Sequence, residues 1–181
     1  MKMRKVALTV CLSAMLIGNA AAGVKGKLAP ELRVDEWVNL PQGQTKGPKL
    51  KEEWKGKVVY LYFFQSWCPG CHSSGFPTLK ALEKEFGSDE QVRFAAVQTV
   101  FEGFGTNTIE AAKKIVTKYK LEGIPVGQSG KKSKESLVMA DFQTRGTPWT
   151  VVIGKDGTVH FEGFHLQPKE GKRLLKRLKK E

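Results

Sequence analysis

Seven consecutive residues, Val58, Val59, Tyr60, Leu61, Tyr62, Phe63 and Phe64, constrain this chain more than any other feature. All are β-branched or aromatic except Leu61, which favours a strand. A strand with one wet face alternates apolar and polar side chains, and this run does not alternate. Both of its faces must therefore be covered, as in a parallel sheet with helices packed on either side. A chain of 181 residues, 40% hydrophobic and 27% charged, is long enough to build one such α/β domain.

The flanking patterns agree. A turn over 65–70 leads into Phe76, Leu79, Leu82 and Phe86 at near-helical spacing, which predicts a helix from Cys68 or Cys71 to Phe86 with Gly87 as terminator. An apolar strand over 92–100 completes a βαβ unit. Asn107 or Thr108 can cap a second helix through Ile109, Ala112, Val116 and Tyr119, ended by Gly123. Residues 124–126 read as a short extended piece, 127–136 as a mobile polar loop, and 137–142 as a turn or two of helix. A strand over 149–153, a Gly154-Lys155-Asp156-Gly157 hairpin turn, a return strand over 158–164 and a basic helix from about Pro168 close the chain. Its opening, with Pro30, Pro41 and Pro48, reads as an irregular lead-in with room for one small hairpin around Leu32-Arg33-Val34 and Trp37-Val38. The expected result is one domain over 23–181, a mixed sheet with helices on both faces.

Residues 1–22 read differently. Lys2, Arg4 and Lys5 precede an apolar stretch over 6–17, and Ala20-Ala21-Ala22 supplies small residues before Gly23. That is the pattern of a cleaved secretory signal peptide, and the apolar stretch is well short of the ~20 residues of a membrane span. Cys11 lies too early in it to be a lipidated terminus. Cleavage takes 22 residues, three of them basic, so the net charge falls from +12 for the whole chain to +9 for the remaining 159 residues. The implied location is a bacterial periplasm or the cell exterior, which argues against nucleic acid as the partner of so basic a chain. Lys169, Lys172, Arg173, Lys176, Arg177, Lys179 and Lys180 cluster at the C terminus. They read as a solvated helix face or as a weak contact with an anionic membrane surface.

Of the three Cys, cleavage leaves Cys68 and Cys71, in Trp67-Cys68-Pro69-Gly70-Cys71-His72 between the buried strand and the helix. A disulfide closing so small a loop gains little chain entropy, so a redox role fits better than a structural one. A helix N-terminus offers partial positive charge and free amides, which favour a thiolate on Cys68. Cys71, one turn inward, could then attack a mixed disulfide and release the partner. Other readings stay open. The same motif attaches c-type haem, with His72 and Met139 as axial candidates, and the two thiols with His72 could hold copper. Four zinc ligands are hard to assemble from two Cys, His72, His160 and His165.

Together these residues resemble the thioredoxin-like superfamily, and within it the secreted bacterial TlpA/ResA-like thiol-disulfide oxidoreductases. The resemblance rests on Pro30-Glu31-Leu32, Trp54-Lys55-Gly56-Lys57-Val58-Val59, Phe64-Gln65-Ser66-Trp67-Cys68-Pro69-Gly70-Cys71, Gly146-Thr147-Pro148-Trp149 and Gly154-Lys155-Asp156-Gly157. It implies a thioredoxin-like fold, a mixed central sheet flanked by helices with an inserted helix-strand segment before the cis-proline loop. It implies Cys68 as attacking thiol, Cys71 as resolving thiol, and Pro148 as a cis-proline against the disulfide. Thr147 would offer backbone groups to an extended substrate. Trp67 would form an exposed apolar flank, with Pro69 and Gly70 completing the docking turn. The implied partners are proteins bearing disulfides or thiols and a membrane reductase as electron donor, in a reducing role. No cofactor and no metal is implied.

The chain departs from the family pattern in four places. Tyr62 stands where thioredoxin buries an Asp, and Ser74 where many TlpA-like chains carry a Glu, so no proton acceptor for Cys71 is identifiable. Pro77 sits one residue beyond the usual kink proline, which predicts an irregularity in that helix. Gln65 replaces the Thr that peroxidases of the superfamily place three residues before the reactive Cys. His72 is read equally as a thiolate-stabilising cation or as a solvent-facing side chain.

Overall fold

Within residues 23–181, which the structure describes, a computed structural model shows eleven elements in chain order. They are β1 (Glu36–Asn39), β2 (Val58–Phe64), a π-helical turn (Cys71–Gly75), α1 (Phe76–Phe86), β3 (Val92–Thr99), α2 (Ile109–Tyr119), β4 (Val126–Ser129), α3 (Leu137–Phe142), β5 (Trp149–Ile153), β6 (Val159–Gly163) and α4 (Pro168–Leu178). The segment read as a signal peptide, 1–22, lies outside the described residues.

The strands form one mixed sheet in the order β1-β4-β3-β2-β5-β6. β2, β3 and β4 run parallel, and β1, β5 and β6 are antiparallel to their neighbours. β2 lies inside the sheet with all seven residues buried, as its lack of alternation requires. Its side chains still alternate in direction. Val58, Tyr60, Tyr62 and Phe64 enter a core with Phe76, Leu79 and Leu82 of α1, Ile115 and Val116 of α2, and Leu175 and Leu178 of α4. Val59, Leu61 and Phe63 enter a second core with Val138 and Phe142 of α3 and with Leu32, Leu50 and Trp54 of the lead-in. Each such fully buried side chain contributes roughly 1.5–3 kcal/mol relative to exposure.

The expected helix-strand insertion before the proline loop is α2 and β4, followed by α3. Three local expectations are corrected. Trp37 and Val38 form no hairpin with the lead-in, but lie in β1, which pairs with β4 nearly 90 residues on. α2 stops at Lys120, not Gly123, because Lys120 takes the left-handed conformation (φ 53°) and its amide turns back onto Thr117 and Val116. Residues 127–129 are not loop. They belong to β4, which is buried throughout, and the following 131–134 segment is held as a tight turn by two reciprocal Lys131–Lys134 backbone bonds of 2.8 and 2.9 Å.

The predicted irregularity is present as the π-helical turn Cys71–Gly75, directly ahead of Pro77. The basic C-terminal helix is largely ion-paired within the chain. Lys172 and Lys176 each reach Glu85 at 2.7 Å, Arg177 reaches Glu181 at 3.5 Å, and Lys179 meets Asp89.

Candidate active site

β2 delivers the chain to the C-terminal end of the parallel strands, and the turn at 65–67 hands it to a helix that begins at Pro69. Proline at the first helical position loses no intrahelical bond and brings its φ ready-made. Cys68 is then the capping residue. Its carbonyl accepts from the amides of Cys71 (3.1 Å) and His72 (3.3 Å), while its Sγ accepts from the Cys71 amide at 3.3 Å. Amides at a helix start have no carbonyl in a preceding turn, and this one, shared between the Cys68 carbonyl and Sγ, is the donor a negatively charged sulfur would use.

The two thiols are free and unequally placed. Cys68 keeps 5% of its surface and Cys71 none. Burial pushes the Cys71 thiol up to about 12, helped by its contact with Cys68; the Gln65 amide and the Tyr62 hydroxyl pull the other way without reversing it. Cys71 is therefore a protonated, sheltered thiol behind Cys68.

The loop before β5 supplies the facing wall. The Thr147–Pro148 bond is cis, as the Gly-Thr-Pro pattern suggested. The Thr147 carbonyl accepts from Cys68 Sγ at 3.5 Å. Gly70 packs so closely on this loop that a Cβ there would sit 3.1 Å from Pro148 Cδ. The structure thus brings together Cys68, Gly70, Cys71, Thr147 and Pro148, with Pro69 exposed on the rim. Trp67 is 46% exposed beside Cys68, as expected for an apolar flank.

His72 does not simply face solvent. The Ser66 carbonyl can only accept, so His72 Nε2 donates to it (2.7 Å), while Nδ1 engages the Tyr119 hydroxyl (2.6 Å). The ring is a strut between the redox turn and α2, stacked on Tyr119 with a 5.8 Å centroid separation. Axial haem ligation would have to break one of these bonds. Among the described residues no group of three or more His, Cys, Asp or Glu side chains is gathered for a metal ion.

Tyr62, at the position of thioredoxin's buried Asp, is fully buried, with its hydroxyl 3.4 Å from the Cys71 carbonyl. Burial holds its phenol well above the usual range, so it stays a donor. Gly75 makes the space for it, since a Cβ at 75 would lie 1.9 Å from that hydroxyl oxygen. Sequence reasoning singled out Tyr62 only for what it lacks.

It also missed a polar network behind the turn. Ser66 donates its hydroxyl to Gln98 Oε1, and Gln98 Nε2 donates to the Thr108 carbonyl (3.0 Å) and to Gln128 Oε1 (2.8 Å). The Ser66 amide donates to Asn107 Oδ1 at 2.8 Å. This network ties the turn to β3, β4 and the start of α2. The available signal was Gln98, an amide directly after the apolar run Phe94-Ala95-Ala96-Val97. Gln65, also fully buried, has neither side-chain atom hydrogen-bonded among the described residues.

A family model for thioredoxin-like domains matches residues 51–179. A thiol-disulfide isomerase from Corynebacterium glutamicum superposes with a TM-score of 0.75 at 27% identity, covering 86% of this chain and 97% of that one. A thioredoxin-like superfamily protein does so with a TM-score of 0.74 at 27% identity, covering 85% and 97%. The fold recurs at 20% identity in a thioredoxin-family thiol:disulfide interchange protein from Chlorobium tepidum, with a TM-score of 0.62 and coverage of 85% and 97%. The chain belongs to the thioredoxin-like domain family. It is a thiol-disulfide oxidoreductase of that class.

Proposed function

We propose that the protein exchanges its Cys68/Cys71 dithiol with disulfides of protein substrates in the periplasm, as a reductant. The observation that carries this reading is the asymmetry of the pair. Cys68 Sγ sits at the rim between the Cys71 amide and the Thr147 carbonyl, and Cys71 is buried behind it as a thiol.

The Cys68 thiolate attacks one sulfur of the substrate disulfide. A Cys68–substrate bond forms, the substrate bond breaks, and its electron pair leaves on the second substrate sulfur, which takes a proton. The substrate segment lies along the Thr147–Pro148 loop, with Trp67, Pro69 and Gly70 against its other side. Cys71 then loses its proton and attacks Cys68 Sγ. The intramolecular disulfide forms, and the reduced substrate departs with the electron pair. Burial holds Cys71 protonated until the mixed disulfide presents a sulfur to it, so resolution follows capture. A membrane reductase returns the two electrons.

Acceleration of insulin reduction by dithiothreitol tests the exchange. Wild type is expected to accelerate it and Cys68→Ser to abolish the acceleration; equal rates with Cys68→Ser would remove Cys68 as nucleophile. The direction is tested by the reduction potential of the pair. A value near about −270 mV supports the reductant, and one near about −120 mV would make the protein an oxidant. The location is tested by fractionating a bacterium that expresses the whole chain. A periplasmic product beginning at Gly23 is expected, and a full-length cytoplasmic one would overturn it.

A further inference from the structure

Beside the redox turn lies a groove of about 620 Å³ that the exchange chemistry does not use. Phe101 and Phe104, in the loop after β3, form one wall, and Met139 of α3 and Thr144 the other, with Lys131 and Lys132 on the rim. Both walls run into the residues that flank Cys68. Thr144 is three residues before Thr147, so the two Cα atoms are at most about 10 Å apart. On the other side Gly103, between the two phenylalanines, lies against Trp67: a Cβ at 103 would be 2.7 Å from Trp67 Nε1. The groove therefore neighbours the exchange site on both sides.

Its surface is apolar inside and cationic at the rim. Phe101 is 38% and Phe104 40% exposed, unusual for side chains of this size. Lys134 is engaged by Asp35, which also receives the Gly130 amide at 2.8 Å and so anchors the loop. Lys131 and Lys132 are exposed and form no ion pair within 4 Å among the described residues, although, against desolvation by burial, the Lys131 charge helps to hold the Asp35 carboxyl below its usual range. The reciprocal Lys131–Lys134 backbone bonds hold them in one place. Only Glu135 among the lining residues opposes them.

We propose that this groove selects substrates by the polypeptide flanking the reactive cysteine. An apolar side chain seats between Phe101, Phe104 and Met139, and a neighbouring Asp or Glu meets Lys131 and Lys132. The occupant is an extended peptide because Thr144 of the groove lies within about 10 Å of Thr147, a span that three or four extended residues cover from the reacting sulfur. Met139, unbranched and polarizable, suits an apolar guest of variable shape. The inference rests on the exchange reading above and adds its specificity.

The experiment compares peptide disulfides, each with a leucine followed by two glutamates or two lysines. In one series these lie three to five residues before the cysteine, in a second the same distance after it. The first attack by reduced protein is timed in single turnover. Hydroxyethyl disulfide, too small to reach the groove, reports on exchange itself. In at least one series the glutamate peptide is expected to react about tenfold faster than the lysine peptide at low salt. That ratio should shrink as salt rises and invert in the Lys131→Glu/Lys132→Glu variant, with circular dichroism confirming its fold. Equal rates for both peptides in both series, or a ratio the double variant leaves unchanged, would overturn the inference while exchange with hydroxyethyl disulfide still stands. No reaction even with hydroxyethyl disulfide would remove the exchange reading and the inference with it.

Discussion

Treating the reduced protein with iodoacetamide at pH 8 separates the two thiols. The nucleophile that iodoacetamide alkylates is the thiolate, so the rate follows the ionised fraction as well as access. Burial moves Cys71 from an ordinary 9.0 to about 12. At pH 8 its thiolate fraction is then on the order of 10⁻⁴ rather than 10⁻¹, a loss of about a thousandfold in rate before access is considered. With no exposed surface on Cys71, access lowers the rate further. The expected product is a protein alkylated once, at Cys68, with Cys71 unmodified until the fold is broken by denaturant. Mass spectrometry of peptides from timed samples reads both sites in one reaction. Comparable labelling of the two cysteines at pH 8, within a factor of ten, would refute the asymmetry on which the two-step exchange depends.

The same displacement predicts a pH dependence. A thiol with a folded-state pKa above its unfolded value stabilises the fold fully below about pH 9, and that contribution is lost as pH rises through about 12. The oxidised protein has no such thiol, so the reduced form should lose about 2 kcal/mol relative to the oxidised one by pH 10.5, read as a difference in guanidinium midpoints; a constant difference from pH 8 to 10.5 contradicts it. Tyr62→Phe removes the hydroxyl that pulls the Cys71 thiol down, so the mixed disulfide should resolve roughly three- to tenfold more slowly while its formation keeps its rate. Stopped-flow quenching of both phases checks this, and an unaltered second phase argues against it. Gln65→Met replaces an amide without partners among the described residues by an apolar side chain of similar size, so urea unfolding should show a gain of about 1–3 kcal/mol or no change. Leu79→Ala leaves a cavity under α1 and should cost about 2–5 kcal/mol in the same assay.

Several parts of this molecule are legible along the chain because their causes are local. The unbroken apolar run makes β2 a strand covered on both sides, wherever its partners come from. Thr108 caps α2 by accepting the Ala111 amide at 3.2 Å, three residues on. The Cys-Pro-Gly-Cys spacing puts both sulfurs on the first helical turn, and a Gly-Thr-Pro before a strand announces a special backbone. At β4, polarity misled sequence reasoning. Gly127, Gln128 and Ser129 look like loop, yet they are buried because Gln128 meets Gln98 and Ser129 accepts the Ser136 hydroxyl at 3.0 Å.

By itself, then, the amino-acid order determined the α/β class, the site of the dithiol at a helix start and the loop that faces it. These follow from periodicity and from spacings of a few residues. Only the tertiary structure decided which thiol is sheltered, that Tyr62 stands beside Cys71, and that His72 is a strut to Tyr119, 47 residues away. It alone placed Phe101, Phe104, Met139 and the Lys131–Lys132 rim along one groove beside Cys68. Burial and hydrogen-bond pairing depend on what the sheet order β1-β4-β3-β2-β5-β6 brings together. Those pairings join segments far apart in the chain, 90 residues between Tyr60 and Thr150 and 138 between Val24 and Glu162, and no local pattern encodes them.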